Sequence, residues 1–484
     1  MPQTIVIFGA SGDLTARKLV PALYELHRKR RLPEGTRIVG FSRTPLSDEA
    51  WRAKLAESTR HFVGTNFDQA AWQTFAPCLF YHPGDIAKGD DFTALAARLD
   101  RFDGAAHDTR IFYLATAPEF YEPAVARLGA SGLAQQTGGT RRIVIEKPFG
   151  VDLASARRLN QAVHAVFQEE QVYRIDHYLG KETVQNVLVL RFANAIFEPL
   201  WNRNFIDHVE ITAAEDLTVG HRAGYYDKAG VVRDMFQNHL LQLLTMTAIE
   251  APARLEAGAV RDEKVKLLRA IRPMGPDDVA RDTVRGQYRR YRDEPGVAPG
   301  SRTATFAAVK LEIENWRWQG VPFYLRSGKA MSCPTTQIAI QFHEPPHVMF
   351  ETGSAKQIEA DRLLIQIQPA EGIQLHFQTK VPDVGVQLRL AELSFRFQEK
   401  FAVGMPDSYQ RLLLDVMQGD QSLFSRSDEV EVAWSIIDPI LAAWENPGLP
   451  ELMLYEEGMW GPPASTEWMR RQGREWFDAC PVLH

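Results

Sequence analysis

The first part of the chain alternates two hydrophobic patterns. Residues 4–8 (TIVIF) form a short continuous apolar run, Gly9-Ala10-Ser11-Gly12-Asp13-Leu14 reads as a turn, and Leu19, Val20, Leu23 and Leu26 then fall at helical spacing. That is strand, glycine turn, helix. Apolar runs at 37–42, 79–82, 110–115 and 141–145 predict further strands. Helical patterns at 92–99 and 121–128 separate them, and a helix over 151–171 leads back toward Asp176. Alternation of this kind predicts an α/β fold with a Rossmann-like, doubly wound parallel sheet.

Beyond Ile206 the texture becomes β-rich, with runs at 207–213, 303–314, 336–342, 362–368, 372–379 and 385–395 and little helix between most of them. This predicts an α+β arrangement, a large and mainly antiparallel sheet. Helices at 230–250 and 409–417 are expected to cover one face and leave the other free to pair with a second subunit. The boundary is placed so that the domains are 1–176 and 177–484, as the length of 484 residues exceeds what one core supports.

Within the apolar helix 231–249, Asp234, Asn238, His239 and Gln242 form a polar face. A satisfied core histidine explains His239. So does a general base whose second ring nitrogen is held by a carboxylate, which this helix does not supply at the right spacing but Asp176 could. Asp176 lies in the densest cluster of chemistry in the chain, Arg174-Ile175-Asp176-His177-Tyr178-Leu179-Gly180-Lys181-Glu182. The apolar spacing of 183–192 predicts a buried helix, with Gly180 and Lys181 at its first turn. A helix start beside a lysine, a histidine and a tyrosine suits an anion. A solvated loop of capping residues is the alternative.

Charge narrows the partners. Lys+Arg number 55 against Asp+Glu 61, a formal net charge of −6, which argues against nucleic acid or a membrane surface as the main partner. The basic run Arg28-Lys29-Arg30-Arg31 falls at the expected end of the first helix and reads as a solvated helix end. Cys78, Cys333 and Cys480 show neither a disulfide framework nor metal-ligand spacing, which suits a reducing cytoplasm. No apolar run reaches bilayer length and no cationic lead precedes Ile5, so a soluble cytoplasmic protein without a membrane partner is expected.

The turn Gly9 to Leu14 can cradle a pyrophosphate, because its glycines admit close approach and the following helix N-terminus faces the ligand. Its spacing is GxxG and not GxGxxG, so a glycine turn with only a packing role fits the same residues. Arg43, at the end of the second strand, stands where an acid would favour NAD and can instead meet a 2′-phosphate; an ordinary loop arginine is the other reading. Ligands on such sheets sit beyond the carboxyl ends of the strands. This makes candidates of Asp85-Ile86, Ala115-Thr116-Ala117-Pro118 and Glu146-Lys147-Pro148-Phe149-Gly150, with Lys147 where nicotinamide and substrate would meet. Asp85 serves equally as a cap.

The glycine turn with Arg17-Lys18, the EKPFG loop, the nonapeptide at 174–182 and Arg233-Asp234-Met235-Phe236-Gln237-Asn238-His239 together resemble the glucose-6-phosphate dehydrogenase family in order and spacing. So do Asp262-Glu263-Lys264-Val265-Lys266, Val321-Pro322-Phe323-Tyr324-Leu325-Arg326-Ser327-Gly328-Lys329 and Arg426-Ser427-Asp428-Glu429. The nonapeptide is highly specific and the glycine turn is not. The resemblance implies oxidation of glucose 6-phosphate at C1 with hydride transfer to NADP, NAD being a weaker alternative, in a homodimer or homotetramer formed through the C-terminal sheet. It implies that His239 takes the proton from the sugar O1 and Asp176 orients the imidazole. His177, Tyr178 and Lys181 hold the 6-phosphate, Glu215 and Asp234 bind sugar hydroxyls, and Lys147 and Lys329 position substrate. Gly9, Ala10, Ser11, Gly12, Asp13, Leu14, Arg43, Asp85, Ile86 and Lys147 hold the cofactor. The sequence departs from the family at Pro334, where members often carry a second substrate lysine, and at Gln366, where members with an extra structural NADP carry arginine. That second site is not expected here. An oxidoreductase for an unphosphorylated sugar or polyol, and a non-catalytic NADP-binding regulator, are the competing readings.

Overall fold

Strand β1 (Gln3–Phe8) is buried along its whole length, because it is hydrogen-bonded on both edges and covered on both faces. It pairs in parallel with β2 (Arg37–Ser42) and with β4 (Thr109–Leu114). Strand β3 (Leu79–Pro83) extends the β2 edge and β5 (Arg141–Glu146) and β6 (Val172–Ile175) extend the other, giving an all-parallel sheet of order β3-β2-β1-β4-β5-β6. This is the expected doubly wound sheet, with the order reversal beside β1. The computed structural model describes residues 2–103, 109–136, 139–347, 349, 359–383, 387–400, 405–445 and 450–480. The chain divides into two compact units, 1–181 with 253–262 and 406–431, and 182–252 with 263–405 and 432–484.

In the first unit β6 was not among the expected strands. It is four residues long and includes Arg174, whose guanidinium is buried against Glu169 at 2.7 Å and Asn160 at 3.0 Å. A buried, paired arginine looks polar in sequence and hides a strand. The helix expected over 151–171 runs Leu153–His164, opened by a capping box between Asp152 and Ser155. The helix Ser408–Gln418 is a correction. Expected to cover the second sheet, it belongs to the first unit, packs on the helix Val20–Arg28, and accepts Gln3 Nε2 at Met417 O (2.9 Å) and Arg142 Nη1 at Val416 O (2.6 Å). Its apolar stripe announces a buried face but not which surface buries it.

The second unit holds a nine-stranded sheet. Its strands are β7 (Ile206–Ala214), β8 (Thr283–Tyr288), β9 (Phe306–Glu312), β10 (Pro322–Gly328), β11 (Thr335–Phe342), β12 (Arg362–Gln368), β13 (Gly372–Lys380), β14 (Leu388–Arg396) and β15 (Leu452–Tyr455), in the order β14-β13-β12-β11-β7-β10-β9-β8-β15. Pairing is antiparallel except between β7 and β10 and between β8 and β15. The expected start of the last predicted strand, at Gly385, lies outside the described residues. Strands β8, β10 and β15 were not read from the sequence: β8 and β10 are buried throughout yet carry Arg285, Gln287, Arg326 and Ser327, so they lack a clean apolar run. Side chains of β13 and β14 are half-buried or exposed, Leu393 at 61%. The expected single helix at 230–250 is wound as a π-helix over Val232–Leu240 and an α-helix over Leu241–Ala248, and its π segment packs on β7 and β10. No helix among the described residues is long and apolar enough to cross a membrane.

The cysteines also correct the sequence reading. Cys333 and Cys480 form a disulfide across 147 residues, with Cα atoms 6.0 Å apart. The argument from cysteine usage for a reducing compartment therefore falls away. Spacing could not show the pair, because the tail reaches Cys333 only by crossing the sheet. Arg474 pairs with Asp207 at 3.0 Å, Phe477 N donates to Glu210 Oε2 at 2.9 Å, and Asp478 meets the buried Arg326 at 2.6 Å. Closing so long a loop restricts the unfolded chain, an effect typically of about 2 to 4 kcal/mol. Replacing both cysteines by serine is expected to lower the free energy of urea unfolding by that amount, and reductant should lower wild type equally. Coincident unfolding curves would show that the bond contributes nothing.

Candidate active site

The parallel sheet of the first unit sends the loops after β1 to β5 to one edge. Gly9 leaves β1 with φ 86°, donates to Phe41 O at 2.9 Å, and lies so close to the loop after β4 that an added Cβ would stand 2.3 Å from Ala115 O. Only glycine fits there. Gly12 N closes the turn on Gly9 O at 2.9 Å, and Ala10 is buried, its carbonyl held by Trp51 Nε1 at 3.2 Å. The following helix opens with a π turn, Thr15–Leu19. At the end of β2, Ser42 Oγ meets Ser11 Oγ at 2.7 Å and Thr44 Oγ1 donates to Ser11 at 3.3 Å. Arg43 lies between these two hydroxyl residues and is exposed. The glycine turn is thus tied through Ser11 to the residues flanking Arg43, and Gly9 and Gly12 leave two of its positions without a Cβ, which suits a close backbone approach by phosphate. Asp13 is exposed and paired with Arg17 at 3.2 Å, while Leu14 is half-buried. Asp85 caps its own turn, its Oδ1 accepting Ala87 N at 3.0 Å, and Ile86 beside it is buried.

The nonapeptide follows β6. Asp176 is 2% exposed and its Oδ1 accepts Tyr178 N at 2.9 Å, which fixes the carboxylate plane. Leu179 N and Lys181 N close successive turns on Asp176 O and Tyr178 O, both at 3.1 Å. His177 is half-buried with its ring 5.1 Å from that of Tyr178, and Lys181 Nζ lies 5.6 Å above the Tyr178 ring. Imidazole, phenol and ammonium are gathered on one short turn. Gly180 permits it, since a Cβ there would stand 2.7 Å from Ser408 O and 2.8 Å from Leu412 Cγ. Lys181 is the last residue before the helix Glu182–Phe192, so Gly180 and Lys181 precede its first turn.

In the second unit the structure brings together Glu215, Asp234 and Lys329. Lys329 Nζ lies 2.6 Å from Glu215 Oε2 and 3.8 Å from Asp234 Oδ2. Both carboxyl groups face a largely buried ammonium, and their remaining oxygens are acceptors for hydroxyl groups. Tyr226, which the sequence reading missed, joins them: Lys329 Nζ is 5.4 Å from its ring, and burial followed by the charge of Asp234 pushes its phenol well above the usual range. Nothing in the local pattern at 223–231 marks it, because its partners come from β7, β10 and the π-helix. Tyr455 OH anchors the Lys329 carbonyl at 2.6 Å. His239 is 1% exposed, on the π-helix, preceded by Asn238, whose Oδ1 accepts the His239 N–H at 2.6 Å. A π-helix fits more residues into each turn than an α-helix, so the polar face expected on a 3.6-residue wheel is re-aimed. Such segments recur at functional sites.

Glu146 ends β5, Lys147 follows it, and the Lys147-Pro148 bond is cis. The Glu146 carboxyl is buried and accepts Tyr113 OH at 2.5 Å, with Tyr409 as a second partner. Burial outweighs these hydrogen bonds and pushes its pKa up to about 7. Below pH 4.5 the group is protonated in both folded and unfolded chains. Between about 4.5 and 7 folding takes up a proton, so stability falls as pH rises, and above 7 the cost is complete. Glu146→Gln is expected to flatten the decline in unfolding free energy across that window. An unchanged slope would remove Glu146 as its source.

The family model described as the glucose-6-phosphate dehydrogenase NAD binding domain matches residues 6–186, and the glucose-6-phosphate dehydrogenase C-terminal domain matches 188–477. The glucose-6-phosphate 1-dehydrogenase of Treponema pallidum is 46% identical, the match covering 100% of this chain and 96% of that protein. That of Rhizobium meliloti is 46% identical over 99% of this chain and 98% of its own. A solved structure of glucose-6-phosphate dehydrogenase in complex with its substrate glucose 6-phosphate superposes with a TM-score of 0.91 at 35% identity, covering 98% of each chain. With a nicotinamide-dinucleotide domain, a full-length match and the motifs in their expected elements, this chain belongs to the glucose-6-phosphate dehydrogenase family.

Proposed function

We propose that this chain oxidises D-glucose 6-phosphate at C1 to 6-phospho-D-glucono-1,5-lactone with NADP as acceptor, the first oxidative step of the pentose phosphate pathway and a supply of NADPH. The observation that carries the reading is the full-length family match, with every chemistry-bearing motif present. His239 is the general base for the O1 proton. An imidazole shielded from water keeps its acceptor nitrogen for one donor. Asp176 orients that imidazole, a role assigned from its place in the nonapeptide, and its bond from Tyr178 N supports it by fixing the carboxylate. His177, Tyr178 and Lys181 hold the 6-phosphate, consistent with their gathering on one turn. Glu215 and Asp234 accept from sugar hydroxyls, and Lys147 and Lys329 set the sugar in register.

Gly9, Ala10, Ser11, Gly12, Asp13 and Leu14 hold the pyrophosphate end of the cofactor, Arg43 the 2′-phosphate, and Asp85, Ile86 and Lys147 its remaining length. When bound, the nicotinamide accepts the hydride that leaves C1. NADP is proposed over NAD because the guanidinium of Arg43, flanked by the Ser42 and Thr44 hydroxyls, suits a dianion. Assembly as a homodimer or homotetramer is proposed through the half-buried and exposed side chains of β13 and β14. A cytoplasmic location is proposed because substrate and cofactor are highly charged and do not cross bilayers unaided.

Adding glucose 6-phosphate and NADP to the purified chain is expected to form NADPH, and glucose in its place far less. His239→Asn should cut kcat by about 10²- to 10⁴-fold, roughly 3 to 6 kcal/mol of barrier, with glucose 6-phosphate binding retained. A near-normal kcat would remove His239 as the base. Arg43→Ala should lower NADP affinity by about 1.5 to 3 kcal/mol and barely change NAD. A ratio of kcat/KM for NADP over NAD within about twofold of wild type would make Arg43 a loop arginine.

A further inference from the structure

Lys329 is fixed twice along its backbone, its N–H donating to Thr305 O at 2.9 Å and its carbonyl accepting Tyr455 OH at 2.6 Å. That does not fix the ammonium, which sits at the end of a flexible four-carbon stem and swings unless its head is held. Glu215 Oε2 accepts from Nζ at 2.6 Å, whereas Asp234 Oδ2 lies at 3.8 Å, outside hydrogen-bond reach. The third neighbour is the ring of Tyr226, with its centroid 5.4 Å from Nζ, within range of a cation over an aromatic face. A ring face attracts an ammonium through its quadrupole and leaves the N–H groups to other acceptors. A carboxylate or a water in the same place would take one of the three donors for itself.

The Tyr226 hydroxyl plays no part in this. It is sealed from solvent and meets no hydrogen-bond partner among the described residues, and burial with the charge of Asp234 keeps it protonated, so it is neither a substrate contact nor an acid or base. What the structure holds rigidly is the ring. Tyr226 is 3% exposed in the helical segment Ala223–Val231, with the Tyr291 ring edge-on to it at 6.4 Å and Tyr288 edge-on to Tyr291 at 5.4 Å. The next residue, Asp227, clamps the segment: its side chain accepts Tyr291 OH at 2.9 Å, Ala298 N at 3.1 Å and Ser301 Oγ, and its carbonyl accepts Thr303 Oγ1 at 2.7 Å. Thr305, which takes the Lys329 N–H, lies two residues further along, so ring and lysine are both tied to the stretch 298–305. We infer that Tyr226 is a positioning residue for the sugar site, its ring face seating the Lys329 ammonium against Glu215 before substrate arrives and leaving N–H donors for the sugar. The inference rests on the proposed role of Lys329 in setting the sugar in register, and Tyr226 acts only through that lysine.

The test is a substitution series in the full chain, read as KM and kcat for glucose 6-phosphate beside Tm. Tyr226→Phe, the conservative variant, keeps the ring and is expected to hold both constants within about twofold of wild type with Tm no lower, since the hydroxyl it removes has no partner. Tyr226→Leu keeps an apolar side chain but loses the ring face, so KM should rise about three- to thirtyfold while kcat stays within about threefold. Phenylalanines carrying one, two and three ring fluorines, introduced at position 226, draw charge from the ring face with little change of shape. KM should climb with each fluorine while Tm stays level, a response that packing alone does not give. Should Tyr226→Leu fail to fold, the fluorinated series carries the test. A KM that is flat across that series, KM and Tm moving in step, or Tyr226→Phe as impaired as Tyr226→Leu would overturn the inference while the wild-type activity stands. A wild type that forms no NADPH from glucose 6-phosphate would overturn the functional reading and this inference with it, so the wild-type assay tells the two failures apart.

Discussion

A charge taken out of water must find a counter-charge or a set of hydrogen bonds, and this requirement organises both units of the chain. Removing one partner of such a pair typically costs about 3 to 5 kcal/mol, because the other is left buried and uncompensated. In the first unit Arg174 enters β6 only because Glu169 and Asn160 receive its guanidinium. In the second, Arg326 is fully buried on β10 because the tail supplies Asp478, Phe477 O and the rings of Trp460 and Trp476. The course of the last residues across the sheet is a consequence of that arginine. The disulfide at Cys480 then fastens a path that electrostatics had already chosen.

The same requirement separates structural from functional polarity. Lys329 is held between two carboxylates and a tyrosine ring, an arrangement with more acceptors than one ammonium needs, and the surplus oxygens are what a polyhydroxylated substrate can use. Glu146 shows the opposite balance: its tyrosine partners do not offset burial, and it is poised near neutrality. At Arg285 the partners that offset burial among the described residues are the carbonyl and the ring of Trp444.

Covalent restriction matters at fewer places. Gly9 and Gly180 are positions where a single methyl group would strike backbone, at Ala115 O and Ser408 O. The first lets the turn after β1 lie against the neighbouring loop, and the second lets the nonapeptide fold into successive tight turns beneath a packed helix. Each local choice thus agrees with the packing around it, which is what allows one sequence to specify one arrangement.

The sequence alone determined those features that depend on local periodicity and on residue type. Uninterrupted apolar runs and helical spacing marked β1 to β5, the turn at Gly9, and most strands of the second sheet, and the nonapeptide and the run to His239 marked the family and its chemistry. Tertiary structure alone decided the features that depend on who lies opposite whom. Strands β6, β8 and β10 are buried with arginines that only distant carboxylates, rings or carbonyls make tolerable, so their patterns look broken in one dimension. The helix Ser408–Gln418 advertised an apolar face but took its place on the first unit, where Gln3 and Arg142 reach its last carbonyls. Cys333 and Cys480 were 147 residues apart until the tail crossed the sheet. Tyr226 gained its meaning from neighbours on other elements. Burial is a property of the whole fold, and a side chain's charge becomes costly, useful or reactive only once burial is known.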